Sequence, residues 1–167
     1  MKTPAKPSGQ LAQLRAFTPA RIGLRRAGTS QTTRDILRFD RDHALARDAV
    51  HLPFDATELK RQLAVRSLNP LLVHSRANDR STYLQRPDLG RRLNDASGKR
   101  LAAVVERLKD TGSLPHTGFD LAVVVADGLS THAVHTNAIP FLDAFLPKMG
   151  AQGWRCAPIV IANQARV

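Results

Sequence analysis

The sequence predicts an α/β fold, an N-terminal helical segment followed by an incomplete Rossmann-like βαβ unit. Three observations predict it. Residues 121–126 (Leu-Ala-Val-Val-Val-Ala) form an unbroken, β-branched apolar run that reads as a strand buried on both faces. Asp127-Gly128 then stops the run as a turn pair, and Ser130 or Thr131 offers a side-chain oxygen to cap a helix. Residues 157–162 (Ala-Pro-Ile-Val-Ile-Ala) supply a second buried strand beyond that helix. Strand, tight turn, helix and strand make a parallel crossover unit, and such units bind ligands at the carboxyl ends of their strands.

Composition narrows the class. The 167 residues suffice for one ordinary domain, or a small domain with an extension. A single cysteine, Cys156, excludes an internal disulfide framework and a cysteine-based structural zinc site, so the chain reads as cytoplasmic. No apolar run approaches the roughly 18–20 residues of a membrane span. Residues 1–13 lack the apolar core of a secretory signal and read as a disordered lead-in. The net charge is +11, and residues 1–110 hold 22 Lys/Arg against 11 Asp/Glu while the remainder holds 3 of each. That asymmetry points to an anionic or acidic partner for the N-terminal two thirds.

In chain order, residues 11–30 carry Pro19, Gly23 and Gly28, which break any helix. They read as an arm whose Arg15, Arg21, Arg25 and Arg26 suit carboxylates or phosphates on a partner. Thr32 opens a helix with Asp35 in a capping-box-like position; Ile36, Phe39, His43, Ala46 and Val50 mark its buried face, and it ends before Leu52-Pro53. Residues 56–66 suit a short helix with Leu59, Leu63 and Val65 inward, and residues 68–74 an extended segment or strand. Around Pro87, Asp88 and Gly90 a rigid turn is expected, with glycine supplying a backbone conformation closed to other residues, so that Arg86, Arg91 and Arg92 project from a corner. A helix within residues 93–110 shows Leu101, Val104, Val105 and Leu108 as its apolar stripe. Residues 111–115 link to the α/β part. The helix from Thr131 to Lys148 contains Pro140 and Pro147, which predicts a kink or a break.

The resulting division is a lead-in over 1–13, a basic helical region over 14–112 suited to a partner, and the start of a Rossmann-like domain over 116–167. Two parallel strands cannot cover their own edges. The reading is therefore of a fragment whose remaining strands lie outside this sequence.

Three stretches carry a family resemblance: Arg21-x-Gly-x-x-Arg-Ala-Gly-Thr29, Tyr83-Leu-Gln-Arg-Pro-Asp-Leu-Gly-Arg-Arg-Leu93 and Val125-Ala-Asp-Gly-Leu-Ser-Thr131. In order and spacing they resemble the small (light) subunit of ethanolamine ammonia-lyase, from about Leu14 to Val167. The resemblance implies a lyase that converts ethanolamine to acetaldehyde and ammonia, with adenosylcobalamin carrying the hard chemistry. It implies a large subunit as partner, holding the substrate and the catalytic side chains, while the small subunit covers the cobalamin at their interface. Val167 corresponds to a cobalamin-contacting valine, whereas a glutamate and a cysteine further on have no counterpart, and Cys156 is misplaced to stand in. Family members continue for roughly another hundred residues beyond Val167, so this chain is expected to be inactive alone. The long N-terminal extension of some members is also missing, which bears on any microcompartment location. From the residues themselves, a ligand crevice belongs after Ala162, at the strand ends where Asn163 to Val167 lie, and Asp127 and Gly128 are candidates to border it. In the setting the resemblance implies, Arg86, Arg91 and Arg92 are better placed to meet the large subunit than the cobalamin.

Other chemistry is weakly encoded. There is no Gly-x-Gly-x-x-Gly or Walker sequence, and no Asp-x-His-x-x-Gly of base-off cobalamin enzymes. His132 and His135 share a helix face without a third metal ligand. Ser130 lacks both a nucleophile-elbow context and a base. The rival reading is a basic RNA-binding or ribosome-associated protein, for which only Tyr83, Trp154 and Phe17 offer aromatic stacking.

Overall fold

The computed structural model describes residues 13–18, 20–24 and 26–166. The expected lead-in falls outside them except for its last residue, and so do Arg25 of the arm and the cobalamin candidate Val167. The described chain forms two compact units that divide between Ala46 and Arg47.

In the first unit the arm folds on itself. Arg15 donates through Nε and Nη2 to the carbonyls of Ile22 (2.9 Å) and Gly23 (2.6 Å). A two-stranded antiparallel hairpin follows, β1 (Arg26–Ala27) and β2 (Ser30–Gln31). Helix α1 (Thr33–His51) starts as its sequence dictates, with the Asp35 amide donating to Thr32 Oγ1 (3.3 Å) and the Thr32 hydroxyl to Asp35 Oδ2 (2.8 Å). Its expected apolar face is not buried: no residue of α1 is, and Ile36 and Phe39 are 44% and 53% exposed. Periodicity marked a face, but among the described residues no layer covers it. Arg21 binds Asp42 at 2.6 Å and lies over the Phe39 ring, so polar and cation–π contacts organise this unit.

The second unit holds the core. Helix α2 (Ala56–Ala64) is capped by Asp55, whose carboxylate accepts from the Glu58 amide (2.8 Å). Leu59 and Leu63 point inward as expected, but Val65 lies past the helix end and is 75% exposed. Strand β3 (Leu71–His74) follows, within the 68–74 segment expected to be extended, so the otherwise helical 14–112 region also contributes a strand to the sheet. Short helices α3 (Arg80–Gln85) and α4 (Pro87–Gly90) precede α5 (Asp95–Asp110), in which Val105 is exposed while Leu101, Val104 and Leu108 are half-buried. Then come β4 (Val124–Ala126), α6 (Thr131–Ala151) and β5 (Val160–Asn163). Helix α6 runs through both prolines as one element, with the Ala133 amide donating to Ser130 Oγ at its start.

The sheet is parallel with order β3-β5-β4; Leu71 and Val124 both face Val160 in register. The last strand is therefore central. Strand β4 lies at an edge, so the expectation that it is buried on both faces fails: Val124 is 60% exposed. Ile159 and Ile161 of the central strand region pack under Leu59 and Leu63 of α2 and Ile139 and Leu142 of α6. The architecture is a mixed helix and small parallel sheet, in keeping with the α/β class.

Candidate functional site

Adjacent parallel strands expose their last backbone groups at one end, and here β5 ends between β3 and β4. The turn after β4 places Asp127 at that end, 1% exposed. Burying a carboxylate is costly unless its oxygens are hydrogen-bonded. Asp127 meets that condition by accepting from two successive amides of the segment after β5, Gln164 to Oδ2 (3.0 Å) and Ala165 to Oδ1 (3.0 Å). Arg80, at the start of α3, adds a guanidinium 3.4 Å from Oδ2. The same side chain donates to the carbonyls of Gly128 (2.8 Å) and Val50 (2.7 Å). Gly128 has φ +52°, which a side-chain-bearing residue rarely adopts, and its carbonyl thereby reaches Arg80.

The next amide, of Arg166, donates to the carbonyl of Gly90 (3.1 Å). Three consecutive N–H groups after β5 are thus held by two sequence-distant stretches. Gly90 itself is not in a positive-φ conformation, contrary to the expectation from its turn context. Its requirement is space: a Cβ there would sit 3.0 Å from the Tyr83 ring. Tyr83 is fully buried, flanked by the guanidinium groups of Arg80 and Arg166 at 4.7 and 5.2 Å from its centroid. Burial pushes its phenol pKa up, with Arg166 opposing. This burial removes Tyr83 as a stacking platform for RNA. Gln164 stands at φ +49°, a left-handed conformation that costs a non-glycine residue of order 1 kcal/mol or more and persists because its neighbours hold it.

A cavity of about 310 Å³ opens at this end, lined by His51, Leu52, Phe54, His74, Asn163 and Gln164 together with Arg80 and Asp127. His74 places Nδ1 2.8 Å from the Ser75 carbonyl, to which that nitrogen donates.

The candidate residues separate accordingly. Asp127 and Gly128 lie at the strand ends; Asp127, on the cavity wall, ties the segment after β5 in place, while the Gly128 carbonyl holds Arg80. Arg86, Arg91 and Arg92 are exposed, away from that cavity lining. Pro87 opens a short helix, and Arg86 forms a bidentate pair with Asp88 at 2.9 and 2.8 Å, which lowers the Asp88 pKa. His135 accepts from the Asp55 amide (3.1 Å), and among the described residues no three His, Cys, Asp or Glu side chains form a metal cluster. Among these residues no helix is long and apolar enough to cross a membrane. Arg80 escaped the sequence reading, as did the bonds that join Asp127 to the segment after Ala162. Asp127 and Gln164 are 37 positions apart, and no local pattern links such partners.

The family model described as ethanolamine ammonia-lyase light chain matches residues 8–167. A protein of Pseudomonas fluorescens strain Pf-5, named ethanolamine ammonia-lyase small subunit, is 51% identical over 166 residues, 99% of this chain and 58% of the relative. One of the same name from strain SBW25 is 50% identical over 161 residues, 96% of this chain and 56% of the relative. One from Pseudomonas syringae pv. tomato is 48% identical over 163 residues, 98% of this chain and 54% of the relative. The chain thus spans little more than half the length of these relatives.

Proposed function

The chain belongs to the ethanolamine ammonia-lyase light-chain family, and from that premise we propose that it serves as the cobalamin-side small subunit of an adenosylcobalamin-dependent ethanolamine ammonia-lyase. The observation that carries this reading is the convergence of the Asp127-Gly128 and Arg86–Gly90 stretches on the backbone of Gln164, Ala165 and Arg166. These are the residues that deliver the chain to Val167, the position that resembles a cobalamin contact.

The residues present suit such a ligand. His51, His74, Asn163 and Gln164 bring imidazole and amide groups to a cavity of about 310 Å³, too small to enclose a corrin ring and suited to one of its peripheral amides. Bound there, adenosylcobalamin would supply the radical chemistry that no side chain can. The role of this chain is to bind and orient: Asp127 fixes the amides of Gln164 and Ala165, Arg80 supports Asp127, and Tyr83 with Gly90 fixes Arg166. The exposed Arg86, Arg91 and Arg92 are assigned to contact with a large subunit, within a basic contacting region over 14–112. Residues 116–167 are assigned as the start of the cobalamin domain. Catalytic side chains are assigned to the partner, so the chain alone is inactive, and a cytoplasmic location, within a microcompartment or outside one, follows from this role.

Coexpression with a matching large subunit tests the reading. A complex should form on size exclusion, and its adenosylcobalamin affinity and deamination rate should fall below those with a longer relative. Failure to associate would refute the subunit assignment. Turnover equal to that of the longer relative would refute the incompleteness of the cobalamin face.

A further inference from the structure

The carboxyl ends of the strands carry the cavity beside Asp127; the amino ends carry another, of about 450 Å³. The strands are parallel, so Leu71 at the start of β3 and Ile159 just before β5 lie at the end opposite His74 and Asn163. No residue lines both cavities.

Local structure builds the second one. Helix α5 closes with the Thr111 amide on the Arg107 carbonyl (3.0 Å), and Gly112 turns the chain at φ +66°. The Leu114 amide then returns to the Leu108 carbonyl (2.9 Å), which holds the loop of Ser113 and Phe119 beside the helix end. The Ala157 amide donates to the Leu121 carbonyl (2.8 Å) and the Leu71 amide to that of Ile159 (2.8 Å). Those two bonds fix Cys156–Ile159 as another wall, and Leu146 of α6 adds to it.

The lining is chemically uneven. Val104, Leu108, Phe119, Leu146 and Ile159 present hydrocarbon, and no Asp or Glu takes part. Apolar matter seated there is withdrawn from water at roughly 25 cal/mol per Å². One lining group is charged, the guanidinium of Arg107. Arg66 and Arg155 are neutralised by Asp143 (2.7 Å) and Asp120 (2.9 Å), and Lys109 takes Glu106 (2.8 Å). Arg107 pairs with no carboxylate among the described residues.

These features select a ligand class. A neutral or cationic guest would leave the arginine unmatched, whereas its planar fork meets a carboxylate bidentately. A single guanidinium compensates one negative charge, so a phosphate dianion would stay half compensated. The volume falls in the range of small-molecule sites, roughly 300–1,000 Å³. We propose that this cavity binds a small amphipathic carboxylate, its hydrocarbon against Val104, Leu146 and Ile159 and its head group on Arg107. The proposal goes beyond the subunit reading and does not depend on it.

Cys156 reports occupancy, because it is the single cysteine of the chain and part of the cavity wall. The 167-residue chain is titrated with decanoate below its micellar range, with decylamine and acetate as controls at equal ionic strength. The rate of Cys156 alkylation by iodoacetamide is read by mass spectrometry. Decanoate should slow alkylation about tenfold or more and raise the melting temperature, as a ligand of the folded state does; the controls should do neither. Arg107→Gln, at an exposed position, should weaken protection about tenfold, and Arg107→Lys should restore part of it. Lys99→Gln, on the same helix but outside the cavity wall, should leave protection unchanged. Alkylation at one rate with and without decanoate, equal protection by decylamine, protection indifferent to Arg107→Gln, or a melting temperature lowered by decanoate would overturn the proposal.

Discussion

From Arg47 onward, Leu63 and Ile161 are wholly buried and Leu59 and Leu142 nearly so, gathered between helices and sheet. Before Arg47, no described residue is buried, and the side-chain contacts are polar or cation–π ones, among them those of Arg15 with two carbonyls and of Arg21 with Asp42 and the Phe39 ring. One region gains its stability from apolar area withdrawn from water, roughly 25 cal/mol per Å². The other relies on exposed ion pairs, whose median worth is about 0–1 kcal/mol. The contrast teaches that helical periodicity shows what a helix can bury, while burial itself depends on a second layer being present.

Substitutions graded by burial sharpen that contrast. The largest effect is expected at the core: Ile161→Ala should cost about 3–4 kcal/mol of the second unit's stability, read as a lower denaturant midpoint. Asp127→Ala should cost about 3 kcal/mol, since it strands the half-buried Arg80 and the amides of Gln164 and Ala165. Exchange at those two amides should accelerate in this variant more than at Val73. Gly90→Ala should cost about 1–3 kcal/mol by pressing the Tyr83 ring, with Tyr83→Phe as the milder control.

Acid provides a smaller perturbation. Asp120 accepts from Arg155 through side-chain and backbone bonds that tie the starts of the last two strands, and its pKa is held down to about 2. A carboxylate depressed in the folded state contributes stability that is fully present above its unfolded pKa and is lost as pH falls through the folded value. The contribution should therefore fade between about pH 4 and 2, and Asp120→Asn should flatten the melting profile in that window. The smallest effect is expected before Arg47, where Arg21→Ala should shift stability by less than about 1 kcal/mol and less still in high salt. A cost there as large as that of Ile161→Ala would break the comparison.

Much of the second unit was legible in the sequence because its signals are local. The cap at Ser130, the inward Leu59 and Leu63, and the apolar runs around residues 121–126 and 157–162 all declare themselves within a few positions. What was not legible depends on chain order in space. The place of β5 between β3 and β4 turned an apolar run into an exposed edge at Val124, and no periodicity encodes strand order. Gly90 was read through its torsions, whereas the Tyr83 ring, seven residues away, is what excludes a side chain there. The polar cluster around Asp127 was half visible: Asp-Gly marked the turn and the strand end after Ala162 marked the crevice, but Arg80 and the bonds that tie Asp127 to Gln164 and Ala165 arise through tertiary contacts alone.

The most direct test of the functional account is titration of adenosylcobalamin, followed by corrin absorbance, into a complex of this chain with a matching large subunit. The account expects saturable binding, weaker than with a longer relative and weakened about tenfold or more again by Asp127→Asn in a variant that still associates. Absence of any complex with the large subunit, or cobalamin binding indifferent to whether this chain is present, would contradict it.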